Sequence, residues 1–311
     1  LKYGSAQAFE AALSSALRRR VRGDTNAEFQ RLRRSVAFDR LLARLNQIDS
    51  ENWLLKGGVA LEYRMPVEAR ATTDIDLSAR VSVDIFVKSL TDATSTNLGD
   101  YFEFVFTREP FRPVADLPTT YRFSIEARLN ARRFERLTLD VGFADPWLGI
   151  PEQLTASDLL GFAGIDPITV RAIPIVQHVA EKVHAYTRQY GRENTRVKDL
   201  VDIVLLASHR PIDGVRLRTT LDGVFEARGT HVLPTGLPMP PPGWAGPYEV
   251  LTEPLGIEHD LARAHAIAAD FLDPVLAEPV PIQGRMWDPA SLSWTSGLPS
   301  SQRDVSVRDR T

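Results

Sequence analysis

Leu54-Leu55-Lys56-Gly57-Gly58, followed by Thr73-Asp74-Ile75-Asp76-Leu77, is the part of this chain that decides how the rest is read. In a β-strand, residues i and i+2 project from one face. Asp74 and Asp76 are therefore expected to emerge together, with Ile75 and Leu77 packed into the core behind them. Two carboxylates on one face suit a pair of divalent cations, which stand about 3.5–4 Å apart where they promote in-line displacement at phosphorus. The glycine pair ends an apolar run, so a strand is expected to break there into a turn whose backbone can approach a phosphate closely. The short helix expected through Ala60, Leu61 and Tyr63 would aim its first amides at that phosphate. Each piece is common by itself: Asp-x-Asp occurs in surface loops and calcium sites, and Gly-Gly in many turns. The order carries the signal, because a solvated turn would not set Ile75 and Leu77 in alternation with the acids.

Around this stretch the pattern continues in both directions. Residues 6–20 and 26–47 read as helices; the second carries a stripe of Phe29, Leu32, Val36, Leu41, Leu42 and Leu45, with Asp24 or Thr25 as its cap. Residues 53–55 and 73–77 read as strands and 83–93 as a helix, followed by strands at 101–107, 121–129 and 134–141. Within 121–129, Phe123, Ile125, Ala127 and Leu129 alternate with Arg122, Ser124, Glu126 and Arg128; a turn at 130–133 makes a hairpin of the last two strands. In the final strand Leu137, Leu139 and Val141 share a face, which leaves Asp140 on the polar side as a third carboxylate that could lie beside Asp74 and Asp76.

From about residue 151 the pattern turns helical, with candidates at 156–162, 176–190, 196–208 and 215–227 and an extended piece at 168–173. Pro174 suits the first turn of the helix that carries Lys182. The segment 233–247, with Pro240-Pro241-Pro242, reads as a loop or tether, and a last helix near 258–272 is expected to end before Pro274. Four regions result: N-terminal helices (1–50), a core with the glycine and acid motifs (51–150), a helical C-terminal domain (151–295) and a polar tail expected to be disordered (296–311).

Composition narrows the class. The 311 residues can bury a sizeable core, and 43% hydrophobic with 25% charged residues is ordinary for a soluble globular protein. There are no cysteines, which excludes disulfides and thiolate metal sites and fits a reducing cytoplasm. No apolar run reaches the roughly 20 residues of a membrane span, and no signal-peptide pattern is seen. Net charge is −3, yet Arg18, Arg19, Arg20, Arg22, Arg31, Arg33, Arg34 and Arg40 cluster early in the chain. They read either as a solvated helix face or as a contact surface for RNA phosphates. No aromatics are interleaved to stack single-stranded bases.

Two polar motifs stand out in the helical half. In Glu181-Lys182-Val183-His184-Ala185 the apolar neighbours suggest a partly buried helix; in Arg196-Val197-Lys198-Asp199-Leu200-Val201-Asp202, residues three apart share a helix face. Lys182 could neutralise charge on a departing pyrophosphate, with Asp199 orienting it; ordinary surface ion pairs are the alternative. His184 has no metal-ligand spacing and reads as structural or surface.

Taken in order, Lys56-Gly57-Gly58-Val59-Ala60-Leu61, Thr73-Asp74-Ile75-Asp76-Leu77, Glu181-Lys182-Val183-His184-Ala185 and Arg196 to Asp202 resemble the four motifs of the AbiEii/AbiGii-type, MenT-like nucleotidyltransferase toxins of the DNA polymerase beta-like superfamily. The resemblance spans about residues 30–295. It implies an α+β fold: a mixed β-sheet nucleotidyltransferase core with flanking helices, packed against a helical C-terminal domain, with the active site in the cleft between them. It implies Asp74, Asp76, Lys182 and Asp199 as catalytic residues, with Asp202 replacing Asp199 if the register shifts. Gly57, Gly58, Lys56 and Arg196 would bind the nucleotide, and Asp74, Asp76 and, by superfamily analogy, Asp140 would hold Mg²⁺. The interval from Gly58 to Asp74 is long for the superfamily, so an inserted turn is expected around residues 66–71. Such toxins use an NTP, act on the 3′ end of tRNA to block translation in the cytoplasm, and are paired with an antitoxin. Two alternatives stand beside this expectation: nucleotidyl transfer to a small molecule or protein, and a non-catalytic nucleotide-binding partner protein.

Overall fold

The computed structural model describes residues 2–21, 25–66, 70–106, 112–114, 117–189, 196–277 and 284–296. The chain divides into two compact units, Leu1–Asp145 with Pro151–Ala172, and Pro146–Ile150 with Ile173–Thr311.

The first unit begins with helices α1 (Ala6–Arg20) and α2 (Thr25–Ile48). The Ser5 hydroxyl accepts from the Ala8 amide to cap α1. Strand β1 (Trp53–Lys56) then runs into α3 (Gly57–Arg64), β2 (Asp74–Ala79), α4 (Val83–Ser95), β3 (Phe102–Phe106), β4 (Arg112–Val114), β5 (Leu117–Leu129) and β6 (Arg132–Gly142). Strands β7 (Glu152–Thr155) and β8 (Thr169–Ala172) complete an eight-stranded sheet of order β3-β5-β6-β2-β1-β8-β7, with β4 on β5. The β2–β6 and β1–β8 pairs are parallel and the others antiparallel. Asn130 and Ala131, with φ of 53° and 56°, form a two-residue turn of the kind whose twist matches a hairpin, and Leu129 pairs with Arg132 across it.

Alternation along the strands separates the two faces of the sheet. Phe123, Ile125, Leu137, Leu139, Val141, Ile75 and Leu77 are all at most 1% exposed. They share one core with Val36, Ala37, Leu41 and Leu45 of α2 and Phe86 and Leu90 of α4. The opposite face of β2, β5 and β6 keeps the charged residues. Helix α2 also carries charge inward. Arg44 (fully buried) and Arg40 both donate to Asp100, at 2.6–2.9 Å. These paired charges hold Asp100 below the usual carboxylate range despite its burial.

The second unit is mainly helical: α5 (Ile175–Thr187), α6 (Val197–His209), β9 (Ile212–Asp213), α7 (Gly214–Arg228), α8 (Ala245–Thr252), α9 (Leu261–Leu276), β10 (Arg285–Asp288) and β11 (Ser293–Ser296). In α6, Leu200, Val201, Ile203, Val204, Leu205 and Leu206 are all 0% exposed. A helix apolar on every side belongs in the middle of a bundle, and α5, α8 and α9 pack on it. Strands β9, β10 and β11 form a small antiparallel sheet, in which the buried Trp287 donates its indole N–H to the Ala207 carbonyl and rings with Phe271 and Trp294.

Several expectations are corrected. Residues 156–162 form no α-helix; β7 precedes them and a single 3-10 turn lies at Gly161–Ala163. Residues 151–172 join the sheet unit, so the helical unit proper starts at Ile173. The segment 233–247 is not all loop, since a 3-10 turn (Pro242–Trp244) leads into α8. Helix α9 runs through Pro274 to Leu276 instead of stopping before it. Pro174 sits at the N-cap of α5, one position ahead of its first turn. Strands β10 and β11 lie within and at the end of the region read as helical, and Ser296, expected in the disordered tail, closes β11. Arg22, Asp24, the middle of the turn at 66–71, Tyr190 and the tail from residue 297 lie outside the described residues, as does the Thr25 side chain.

Candidate functional site

Strand register assembles the first cluster. Lys56 of β1 stands opposite Asp76 of β2, Asp76 opposite Asp140 of β6, and Asp140 opposite Arg122 of β5. Cross-strand partners share a face, so a row of Lys56, Asp76, Asp140 and Arg122 crosses four adjacent strands, with Asp74 two residues from Asp76 on the same side. Asp74 and Asp76 are half-buried, while Ile75 and Leu77 between and beyond them are fully buried. The row reads plus, minus, minus, plus. At one end Lys56 is paired with Asp145, just beyond β6. At the other, Arg122 Nε and Nη2 donate to the two oxygens of Asp140 at 2.8 and 2.7 Å. The carboxylates raise the Arg122 pKa further, the Asp140 hydrogen bond being the largest cause, with Asp74 and Asp76 contributing.

The glycine pair is explained by this cluster. Gly57 has φ of +61°, and a Cβ built on it would lie 2.0 Å from Asp76 Oδ2. On Gly58 a Cβ would lie 2.5 Å from Thr72 Oγ1. The bare backbone at the start of α3 therefore lets the acid strand pass within contact distance. From the other side, the Thr72 hydroxyl donates to the Asp74 carbonyl at 3.2 Å and the Thr73 hydroxyl to Asp74 Oδ2 at 3.2 Å. Helix α3 is tied to α2 by buried polar groups: Arg31 and Ser35 donate to Glu62 at 2.6 and 2.9 Å, and the Tyr63 hydroxyl to Asp39 at 2.5 Å.

Hard carboxylate oxygens, brought together against a glycine, are the donor set that Mg²⁺ takes, and Asp74 and Asp76 fit it. A third ligand is less simple. Among the described residues no three His, Cys, Asp or Glu side chains converge as a preformed metal cluster, and both oxygens of Asp140 accept from Arg122.

The second cluster lies within the helical unit. Lys182 of α5 reaches Asp199 at 3.1 Å and Asp202 at 2.7 Å, both on the first two turns of α6. Asp202 is 0% and Asp199 5% exposed. Lys182 thus pairs with both of the acids between which the resemblance left the choice open. Asp199 Oδ2 has no hydrogen-bond partner, and the Arg196 guanidinium lies 3.9 Å from it at the N-cap of α6. His184, 2% exposed, is structural: its ring bonds Thr230 at 2.8 Å and stacks edge-on to Phe225. Burial, with Arg228 adding to it, lowers its pKa to about 3.

The early arginines are corrected as a surface. Arg31, Arg33, Arg34 and Arg40 turn inward to Glu28 and Glu62, to the Phe134 carbonyl, to the Thr72 carbonyl and to Asp100. Arg18, Arg19 and Arg20 remain exposed, as do Arg128, Arg132, Arg133 and Arg136 of the β5–β6 hairpin. Sequence reading passed over Arg122 and Asp145. Arg122 was legible as a polar-face residue of a strand, but its partner could be found only once register was known.

A family model described as nucleotidyl transferase AbiEii toxin, type IV toxin–antitoxin system, matches residues 40–281. Among solved structures the chain is similar to MenT4, a nucleotidyltransferase toxin from Mycobacterium tuberculosis H37Rv, with 18% identity and a TM-score of 0.54 over 85% of this chain and 88% of that one. It is also similar to JHP933 from Helicobacter pylori, with 14% identity and a TM-score of 0.44 over 80% and 94% of the two chains. No curated protein sequence matches it. At that identity the MenT4 likeness speaks for the fold, an α+β architecture of mixed sheet and helices, while the family match covers most of the chain. The chain belongs to the AbiEii family of nucleotidyl transferase toxins.

Proposed function

We propose that this protein transfers NMP from an NTP to the 3′-hydroxyl of tRNA, in a reaction that depends on Mg²⁺. The observation that carries the reading is the Asp74–Asp76 pair lying against Gly57, in a chain of a nucleotidyl transferase family. The acceptor oxygen forms a bond to the α-phosphorus, the α–β phosphoanhydride bond breaks, pyrophosphate leaves and the hydroxyl proton passes to solvent water. Asp74 and Asp76 would hold the metal, two ions in the full assembly, which lowers the pKa of the acceptor hydroxyl and neutralises the departing pyrophosphate. Gly57 and Gly58, at the start of α3, are assigned the phosphate-contacting turn. Lys182 is assigned the triphosphate, and Asp199 and Asp202 orient it. Lys56 and Arg196 complete the nucleotide-binding set; Asp140 is the remaining candidate metal carboxylate.

The RNA acceptor is supported by the family resemblance and by the exposed arginines of α1 and the β5–β6 hairpin, which suit a phosphate backbone. Extension of the acceptor end would leave tRNA unfit for aminoacylation and block translation. Membership of a type IV toxin–antitoxin family supports a cognate antitoxin as partner, and a cytoplasmic setting is part of this reading. Among the described residues no helix is long and apolar enough to cross a membrane.

The test incubates the protein with total tRNA, Mg²⁺ and each α-labelled NTP in turn, and resolves the RNA. Label should enter tRNA with one NTP or a few, and Asp76→Ala should abolish it while preserving the fold. Transfer by Asp76→Ala at the wild-type rate would overturn the assignment.

A further inference from the structure

We propose that Arg122 is a positioning residue that keeps Asp140 out of the metal-binding set, leaving a divalent cation to Asp74 and Asp76. The inference rests on the metal-dependent reading of the acid row and departs from the expectation that all three acids are ligands.

Strand register brings the acids together: β2 and β6 are parallel neighbours, and Asp76 and Asp140 are direct partners. Such a pair would repel, and would present a divalent ion with carboxylates from two strands. The next strand supplies the correction. Arg122 is the direct partner of Asp140 on β5, and its planar fork meets the carboxylate in two parallel charge-assisted bonds of 2.8 and 2.7 Å. To ligate a metal, Asp140 would have to give up one of those bonds and bring the ion beside a fixed guanidinium charge. The two partners differ in burial: the Asp140 side chain is 13% exposed and that of Arg122 51%. Arg122 is thus held by the acid and otherwise open on the polar face of the sheet. The absence, among the described residues, of any three convergent metal-binding side chains agrees with this. Lys56 at the other end of the row is paired with Asp145, so each end of the row carries a cation in contact with an acid.

A guanidinium that acted only through its charge would also weaken cation binding, but would do so with or without the Asp140 carboxylate, and that difference supplies the test. Mn²⁺ binding to the full chain, without nucleotide, is followed by loss of the free-ion electron paramagnetic resonance signal. The comparison is among wild type, Arg122→Met, Asp140→Asn, the double variant and Asp76→Asn. Arg122→Met should tighten binding by about tenfold, a typical size for groups that act on a metal through its ligands. The gain should vanish in the double variant, because it needs the Asp140 carboxylate. Asp140→Asn should weaken binding far less than Asp76→Asn, which should remove it. Arg122→Lys, which keeps the charge, should remain nearer to wild type, and thermal melting checks that each variant is folded. The inference is overturned if Arg122→Met binds as wild type does, if its gain persists in the double variant, or if Asp140→Asn loses Mn²⁺ as completely as Asp76→Asn. A wild type that binds no Mn²⁺, or binds it no better than Asp76→Asn, sinks the metal reading itself and this inference with it. Loss in Asp76→Asn beside an unmoved Arg122→Met sinks only the role of Arg122.

Discussion

At Gly57 a single added methyl has nowhere to go. The residue has a positive φ, and the new carbon would overlap the Asp76 carboxylate. Gly57→Ala should therefore cost about 1–3 kcal/mol from backbone strain alone, and the displaced Asp76 should take transfer activity with it. Urea unfolding of the variant and its labelling of tRNA check the two effects separately. Lys182 presents a different problem. It holds two buried acids, so Lys182→Met strands their charges and should destabilise the fold by about 3–5 kcal/mol. Lost activity in that variant would not by itself assign a chemical role. The two acids divide the question: Asp202 is fully buried, whereas Asp199 keeps one oxygen without a hydrogen bond and faces Arg196. Asp202→Asn should lower stability more than the turnover of folded enzyme, and Asp199→Asn the reverse. Denaturation curves set beside single-turnover labelling read this out.

Between elements, the docking of α3 on α2 decides where the glycines sit, and it is made with titratable groups. Asp39 lies buried against the Tyr63 hydroxyl, and burial raises its pKa from 3.8 to about 8. Between those values the folded chain holds a proton that the unfolded chain releases. This contribution is therefore fully present below pH 3.8 and is lost as pH rises through about 8. Asp39→Asn keeps the shape without the charge. In a series of urea midpoints from pH 4 to 8.5, the wild type should lose stability against the variant as pH rises. Helix α2 also shows how far a helix can be read from its letters. The apolar stripe was plain, but four of its arginines resembled a basic surface and instead bond inward, because acids and carbonyls distant in sequence meet them. At 156–162, apolar residues at helical spacing suggested a helix. The chain there is instead held between β7 and β8, and the Ala156 amide donates to the Ile168 carbonyl.

Across the whole molecule, the chain leaves the sheet after Asp145 and returns to it at Pro151 before entering the helical unit for good at Ile173. Strand β8 pairs with β1 through Leu55 and Ala172, and β7 pairs with β8. A fragment cut at residue 150 would leave the buried strand β1 as an unpaired edge, which invites aggregation. A fragment of residues 1–172 should stay soluble and unfold in one cooperative step, whereas 1–150 should aggregate; circular dichroism melts and size-exclusion chromatography distinguish them.

Local pattern alone determined the glycine turn, the alternation that sets Asp74 and Asp76 on one face, the β5–β6 hairpin and the helices from α1 to α7, because each follows from a period of two or 3.6 residues and needs no distant partner. Only the tertiary structure decided which strand lies beside which. Register placed Arg122 on Asp140, and the packing of α5 on α6 gave Lys182 two acids. Tertiary contact also sent residues 151–172 back to the sheet and set Trp287 under α6. Those outcomes depend on residues far apart in the chain, whose meeting is governed by burial and charge pairing that no local period records.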